Sequence, residues 1–195
     1  MLRKQPSQSR SRRSVDVILD AAIQVLRTHS YRQATTNRIA ARAGVSVGTL
    51  YQYFTSKDEI FDALIKREAD RYLAGLESNL PRPGIPHRQA IRTLMEAGYA
   101  HHDVIHSLRA VMRHIPADRS ARHSRYLRGG LHQLIIRFLE SLGPLPGLDD
   151  LSLSADVIIG LSEGLTYLGR VQRSPEELVD IMTEAVSRYL LVGNS

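Results

Sequence analysis

Apolar residues recur along this chain at intervals of three and four, the spacing that lines one face of an α-helix. Between positions 14 and 30 the helical face consists of Val15, Ile18, Leu19, Ala22, Ile23 and Leu26. No segment shows the sustained apolar–polar alternation that is typical of a half-buried strand. The spacing therefore predicts an all-α fold whose first helix lies within residues 14–30.

A helix-turn-helix is predicted directly after this first helix. Thr36 is placed to cap a short helix over residues 37–43, and Gly44 stands where a left-handed residue ends such a helix. Ser46 is placed to cap the next helix, over residues 47–54. Two short helices joined by a tight turn that contains glycine are the pattern of this motif.

The rest of the chain is predicted to form further helices separated by breaks rich in proline and glycine. Ser56 and Glu59 have the spacing of a capping box, which starts a fourth helix. The sequence LPRPGIPHR, at positions 80–88, ends that helix. The remaining helices are expected over residues 87–99, 101–115, 118–142, 153–170 and 175–192.

The positive charge of the chain lies at its N-terminal end. The net charge is +6, and residues 1–60 hold ten Lys or Arg and four Asp or Glu, whereas residues 61–195 hold sixteen of each. A basic module ahead of a neutral one suggests that the first meets a polyanion and the second meets something else.

Cysteine is absent, which excludes disulfides, thiolate metal sites and cysteine nucleophiles and suits a reducing cytoplasm.

No stretch approaches the roughly 20 apolar residues that a membrane-spanning helix needs, so we expect a cytoplasmic protein with no membrane contact. Residues 1–13 are rich in Arg and Ser and lack acids, as in a transit peptide or a flexible basic arm, and we favour the arm.

The third predicted helix has the residues that a recognition helix needs at its start. Val47, Gly48 and Thr49 let the backbone approach DNA closely, and the methyl groups of Val47 and Thr49 suit a thymine methyl. Gln52 is suited to bidentate pairing with adenine, or alternatively to a phosphate contact.

Three aromatic residues close this helix. Tyr51 and Tyr53 point in different directions on a helix, so at least one hydroxyl is expected outside, where it can donate to a phosphate. Lys57 adds its charge at the N-terminus of the fourth helix. Phe54 and Leu50 are the expected core residues.

The sequences TTNRIA at positions 35–40, AGVS at 43–46 and GTLYQYFTSK at 48–57 resemble the signature of the TetR family of transcriptional regulators. The resemblance covers about a quarter of the chain. It implies a homodimer that reads a near-palindromic operator in double-stranded DNA, with a C-terminal helical domain that binds a small effector. One departure from the family pattern is Ser30, where a glycine commonly ends the first helix.

The resemblance also implies a division into a basic arm over residues 1–13, a helix-turn-helix domain over 14–57, and an effector-binding and dimerisation domain over 58–195. Arg12 and Arg13 suit the arm that contacts the DNA backbone. The positions at which the family contacts DNA are occupied here by Thr36, Asn37, Ser46, Val47, Thr49, Tyr51, Gln52, Tyr53 and Lys57.

The last two predicted helices carry wide apolar surfaces, and Ser174 with Glu177 forms a capping box for the second of them. They are either buried within one protomer or paired with their symmetry mates in a four-helix interface. The resemblance favours the dimer. Its predicted interface residues are Val157, Gly160, Leu161, Gly164, Leu168, Leu178, Ile181, Met182, Ala185 and Tyr189.

Polar residues among apolar ones in the middle helices are the candidates for effector contacts. They are Tyr99, His102, His106, Arg109, Arg128, His132 and Tyr167. His102 and His106 are one helical turn apart, but without a third ligand we interpret them as solvated or pocket-lining residues and expect neither metal nor cofactor. Gly129 and Gly130, inside one helix, indicate either close packing or room for a ligand.

These features predict a DNA-binding regulator, a repressor that its effector releases from the operator. An effector-dependent activator or a regulator that needs a co-repressor is the alternative within the same class. An enzyme is disfavoured because no nucleophile elbow, Walker loop, metalloprotease motif or glycine-rich dinucleotide turn is present. An architectural DNA binder without sequence preference is the third possibility.

Overall fold

A computed structural model describes residues 9–80, 84–100, 109, 111–145, 148, 150–169 and 173–191, with the backbone alone at 9, 10 and 166–169. No strand occurs in these ranges, which confirms the all-α prediction for them. None of their helices has an apolar stretch long enough to cross a bilayer. The helices are α1 (Ser9–Thr28), α2 (Thr36–Ala43), α3 (Val47–Tyr53), α4 (Lys57–Ser78), α5 (His87–Ala100), α6 (Ala117–Leu142), α7 (Leu151–Gly169) and α8 (Pro175–Leu191).

The chain divides into two compact units. Unit 1 consists of residues 1–69 and 103–123, and unit 2 consists of residues 70–102 and 124–195. The predicted boundary between residues 57 and 58 stays a prediction. Two of the points at which the chain passes between the units, 69/70 and 123/124, lie inside α4 and α6. Sequence signals mark the ends of helices, and these two points are not such ends.

Helix α1 begins earlier than its apolar spacing predicts. It starts at Ser9, so Arg12 and Arg13 lie on a helix with exposed side chains and not in a flexible arm that extends to residue 13. Arg and Ser are compatible with helical backbone, and no proline or glycine interrupts residues 9–13. The apolar pattern could not reveal this extension because residues 9–13 are all polar.

A short loop joins α1 to α2 without the expected glycine. The N–H groups of Gln33 and Ala34 both donate to the Ser30 carbonyl at 3.0 Å, and the Gln33 side-chain oxygen accepts from the Ser30 N–H at 3.1 Å. No non-glycine residue in the described part of the chain has a positive φ. The hydrogen bonds of Ser30 therefore close the loop without a left-handed residue.

The cap of α2 is Thr35, whereas the sequence analysis predicted Thr36. Thr35 has extended backbone, with φ −94° and ψ 157°, and its hydroxyl accepts from the Arg38 N–H at 3.3 Å. Thr36 is the first helical residue. Gly44 ends the helix in the predicted left-handed conformation, with φ 68° and ψ 27°.

The two predicted capping boxes differ in outcome. At α8 the box is complete, since the Ser174 hydroxyl accepts from Glu177 N–H at 3.2 Å and the Glu177 carboxylate accepts from Ser174 N–H at 2.7 Å. At α4 only the hydroxyl half forms, from Glu59 N–H to Ser56 at 3.2 Å. The Glu59 carboxylate accepts instead from the N–H and hydroxyl of Thr55, at 2.6 and 2.8 Å. Burial alone would raise the pKa of Glu59, but the Thr55 donors bring it below its usual value.

Each unit has its own apolar core. The core of unit 1 includes Ile18, Ile39, Leu50, Phe54 and Phe61, all fully buried. The core of unit 2 joins α5 and α6 to α7 and α8 through residues that include Leu94, Phe138, Ile158, Val186 and Leu190. Burial of side chains of this size is the main stabilising contribution in each unit.

The two adjacent glycines of α6 differ in their surroundings. A Cβ atom placed on Gly130 would lie 2.4 Å from Leu73 Cδ1, so the glycine permits close packing between α6 and α4 within unit 2. Gly129 is exposed, and a Cβ atom there would meet nothing within 4 Å. Close packing therefore explains Gly130, whereas Gly129 lies beside open space.

Candidate nucleic-acid interface

Local interactions fix the start of α3. Ser46 has extended backbone, and its hydroxyl accepts from the Thr49 N–H at 2.9 Å, as predicted for the cap. The Ser46 and Thr49 hydroxyl oxygens lie 2.8 Å apart. Leu50 and Phe54 are fully buried on the inward side, which confirms their predicted core role. The helix is thereby held by one face and by its N-terminus.

The other face of α3 is available to a ligand. Gln52 and Gly48 are exposed, and Tyr51 is 44% exposed, as expected for at least one tyrosine. The Tyr51 hydroxyl lies 3.3 Å from the Thr36 hydroxyl, which links α3 to α2. A capped helix with small residues at its start and a glutamine on its exposed face has the chemistry that base edges in the major groove require.

The remaining predicted DNA contacts surround this face. Val47, Thr49 and Tyr53 are half-buried on α3, and Asn37 is exposed on α2. Two exposed arginines on α2, Arg38 and Arg42, were missed by sequence reasoning. Their spacing of four residues on a helix of the basic module was the available signal.

Lys57 has a structural partner that its sequence position did not indicate. Its ammonium donates to the Tyr31 carbonyl at 2.9 Å and lies 4.1 Å from the centroid of the Tyr31 ring. An ammonium has three donors, so a phosphate contact by Lys57 stays a prediction. The residue also anchors the loop between α1 and α2.

A polar network continues from Tyr31 to the first turns of α6. The Tyr31 hydroxyl donates to Asp58 at 2.5 Å, Arg119 donates to Asp58 at 3.3 Å and to Asp62, and His123 Nε2 lies 2.9 Å from Asp62. We call these five residues the Tyr31–His123 network. Sequence reasoning missed Arg119 and His123 because their partners are about 60 positions away.

Burial and charge shift two groups of the Tyr31–His123 network. Burial, followed by the hydrogen bond to Asp58, raises the pKa of Tyr31 well above its usual value. Burial alone would lower the pKa of Arg119, but the hydrogen bond and negative charge of Asp62 raise it. The network therefore keeps Tyr31 neutral and Arg119 charged.

Four of the seven predicted effector residues have side chains in the described part of the chain, and their role stays a prediction. Tyr99 packs against the core of unit 2, Arg109 belongs to unit 1, and Arg128 is exposed. His132 Nε2 lies 3.2 Å from both the carbonyl and the hydroxyl of Ser152. The side chains of His102, His106 and Tyr167 lie outside the described residues.

Unit 2 has an open cleft of about 510 Å³ beside the start of α5 and the end of α6. His87 and Ser141 contribute polar groups to its wall, and Ile85 and Leu142 contribute apolar ones. None of the four predicted effector residues with described side chains is among its lining residues. Within the described ranges, no group of three or more His, Asp or Glu side chains is arranged to hold a metal ion.

The predicted interface residues of α7 and α8 divide into buried and accessible sets. Leu178 and Met182 are 1% and 3% exposed, so their side chains lie in the chain's own interior. Val157, Leu161, Ile181, Ala185 and Tyr189 are half-buried, and Gly160 and Gly164 are exposed; the Leu168 side chain lies outside the described residues. Leu153, which sequence reasoning missed, is 59% exposed on α7.

Comparison with known proteins agrees with this geometry. Residues 18–64 match the N-terminal domain model described as bacterial regulatory proteins, tetR family. The fatty acid metabolism regulator protein of Bacillus subtilis is 35% identical over 63 residues, 32% of each chain. The HTH-type transcriptional activator FasR of Mycolicibacterium smegmatis is 39% identical over 80 residues, 41% of this chain and 36% of that protein. The matches span about a third of the length of these relatives.

The fold extends further than the sequence similarity. The solved structure of the fatty acid degradation regulator FadR from Bacillus halodurans aligns with a TM-score of 0.72 at 23% identity, over 94% of this chain and 95% of that one. Similarity at this identity shows a shared fold and does not by itself transfer a ligand.

Proposed function

Since this chain belongs to the TetR family of bacterial regulatory proteins, we propose that it is a sequence-specific DNA-binding transcriptional regulator. The observation that carries the proposal is the division of α3 between an inward face, held by Leu50 and Phe54, and an outward face that exposes Gln52. Recognition of base edges requires a helix that is fixed on one side and accessible on the other.

In this proposal the residues of the interface have two kinds of role. Val47, Thr49 and Gln52 contact base edges, with Gly48 allowing close approach of the backbone. The remaining predicted residues contact phosphates and fix the register of the helix on the duplex. These are Arg12, Arg13, Thr36, Asn37, Ser46, Tyr51, Tyr53 and Lys57.

The regulator acts as a homodimer, with half-sites about 34 Å apart on the operator. The accessible side of α7 supports this part of the proposal, because Leu153, Val157 and Leu161 lie there beside Gly160 and Gly164. Exposed apolar and small residues at helical spacing permit close packing against a second helix. Leu178 and Met182 are left out of the proposed interface because the protomer's own core uses them.

A small effector changes DNA affinity by binding more tightly to one arrangement of the two recognition helices than to another. We propose repression relieved by the effector, although the Mycolicibacterium relative is named an activator. Fatty acids are the first effectors to test, since two similar proteins are named regulators of fatty acid metabolism or degradation. The site of action is the cytoplasm.

Selection of bound sequences from random duplex DNA, at fixed near-physiological salt, tests this function. The expected result is an enriched inverted repeat with half-sites about one helical turn apart. Equal binding to all sequences would identify an architectural DNA binder instead. No enrichment by folded protein, with and without fatty acids, would contradict the proposal.

Two substitutions assign the base contacts. Thr49→Ala and Gln52→Ala are expected to change the selected sequence at one or two positions per half-site, since a good bidentate contact discriminates bases by roughly 1–3 kcal/mol. Gln133→Ala is the matched control, because Gln133 is an exposed glutamine on α6 in unit 2. An unchanged selection by both α3 variants would refute the base-contact assignment.

A further inference from the structure

We propose that Arg119, in the first turn of α6, is a positioning residue for DNA binding: through Asp58 and Asp62 it fixes Tyr31 and thereby the loop that leads into α2. The inference rests on the proposed function and extends it to a segment far from the helix-turn-helix in sequence. All residues that carry it belong to unit 1.

The first turns of α4 hold Tyr31 at three places. Its carbonyl accepts from Lys57 Nζ at 2.9 Å, its hydroxyl donates to Asp58 at 2.5 Å, and its ring lies 5.1 Å from the Phe61 ring between centroids. The Lys57 ammonium also lies over the ring, where a cation is attracted by the π-electrons. Backbone, hydroxyl and ring of Tyr31 are thus fixed together.

The loop that contains Tyr31 is connected to α2 by short contacts. Four residues after Tyr31 the chain reaches Thr35, the cap of α2. The Gln33 carbonyl accepts from Arg38 Nη1 at 2.8 Å, which ties the loop back onto the first turn of the helix. A displacement of Tyr31 therefore shifts the N-terminal end of α2.

Helix α2 in turn contacts α3, the proposed recognition helix. The Thr36 and Tyr51 hydroxyl oxygens lie 3.3 Å apart across this contact. The two residues are also among those proposed to contact phosphates. A shift at the start of α2 is consequently felt at the interface with DNA.

Arg119 determines whether the Asp58 carboxylate keeps its hydrogen bond from the Tyr31 hydroxyl. Its guanidinium donates to Asp58 at 3.3 Å and to Asp62, and its side chain is 25% exposed. Two neighbouring carboxylates repel each other, and an arginine between them offsets that repulsion. Without Arg119 the Asp58 carboxylate gains by turning toward water, which breaks its bond to the Tyr31 hydroxyl.

This role differs from that of a phosphate contact. Each phosphate contact adds about one unit to the slope of binding against salt concentration, because it releases counterions from DNA. The Arg119 guanidinium is engaged with two carboxylates of its own chain. Its loss is therefore expected to lower operator affinity without changing the salt slope.

The experiment compares the full-length Arg119→Ala variant with Arg122→Ala at several salt concentrations. Arg122 lies three residues further along α6, is 70% exposed and lies 3.8 Å from Asp118. We expect Arg119→Ala to weaken operator binding about tenfold, equivalent to about 1.4 kcal/mol, with an unchanged salt slope. The Arg122→Ala variant is expected to bind like wild type.

A double variant with Tyr31→Phe tests the route of the effect. Tyr31→Phe keeps the ring and removes the hydroxyl that Asp58 accepts from. If Arg119 acts through that bond, the combined loss of affinity is smaller than the product of the two single losses. If Arg119→Ala fails to fold, Tyr31→Phe alone carries the test, with the same expected fall at constant slope.

Three results would overturn the inference: equal affinities of the Arg119 and Arg122 variants, a salt slope lowered by about one, or fully independent losses in the double variant. A wild-type protein that selects no operator would instead refute the proposed function itself. The two failures are therefore distinguishable in the same series of measurements.

Discussion

Helix α3 in unit 1 and helix α8 in unit 2 present their polar side chains differently. In unit 1 the polar residues of α3 point away from the core, and Gln52 and Tyr51 are exposed beside the buried Leu50. In unit 2 the buried hydroxyl of Thr183 donates instead within its own helix, to the Val179 carbonyl at 2.7 Å. A convex surface that reads DNA needs one well-held helix, whereas a concave effector site requires distant segments to come together.

Leu50→Ala should have the largest effect, because it removes a fully buried side chain on which α3 rests. We expect the free energy of unfolding to fall by roughly 2–5 kcal/mol. Gln52→Ala, two positions along the same helix, should change the free energy of unfolding by no more than about 0.5 kcal/mol. Chemical denaturation of both variants measures the difference, and equal losses would contradict the assignment of the two faces.

The two adjacent glycines of α6 allow an exposed and a packed position to be compared within unit 2. Gly129→Ala should raise the free energy of unfolding by about 1 kcal/mol, because an exposed helical glycine gains helix propensity. Gly130→Ala gains the same propensity but crowds Leu73, so it should be less stable than Gly129→Ala. Thermal unfolding compares the pair, and equal stabilities would show that Leu73 moves aside without cost.

Two serine caps allow the same substitution in each unit. Ser46→Ala and Ser174→Ala should each cost about 1 kcal/mol of stability, since each hydroxyl accepts from a backbone N–H at the start of its helix. Only the Ser46 variant is expected to lose affinity for the operator as well. A matching loss of DNA binding in the Ser174 variant would break the proposed separation of roles.

The smallest effect concerns Tyr31 at alkaline pH. Its pKa is raised in the folded protein, so the stability that it contributes is fully present below its unfolded pKa of about 10 and is lost as pH rises above that value. The stability advantage of wild type over Tyr31→Phe should therefore be smaller at about pH 11 than at pH 8. A stability advantage that stays constant between these two pH values would contradict the raised pKa of Tyr31 in the folded protein.

Features that depend on neighbouring residues were predictable from the sequence. Gly44 and Ser46 were correctly placed because a left-handed end and a cap each depend on a few adjacent positions. The cap of α2 was predicted one residue too late, at Thr36 instead of Thr35, because both threonines carry a hydroxyl that can accept from a backbone N–H. At α4, Thr55 offered Glu59 two donors that the capping-box pattern does not consider.

Features that depend on distant residues were not predictable. The periodicity of α8 identified Leu178 and Met182 as apolar but could not say whether a partner or the chain's own core covers them. Likewise, nothing near Arg119 in the sequence points to Asp58 or Asp62. Hydrophobic spacing specifies which face is buried and leaves open what buries it.

The central claim is that the outward face of α3 reads the DNA sequence. Its most direct test is the ratio of the affinity for the selected operator to the affinity for a shuffled duplex. This ratio is measured at one salt concentration for wild type and for the Thr49→Ala, Gln52→Ala double variant. The account predicts that the double variant loses roughly tenfold or more of this ratio while its affinity for shuffled DNA is unchanged. An unchanged ratio in a folded double variant would show that the outward face of α3 does not read the sequence.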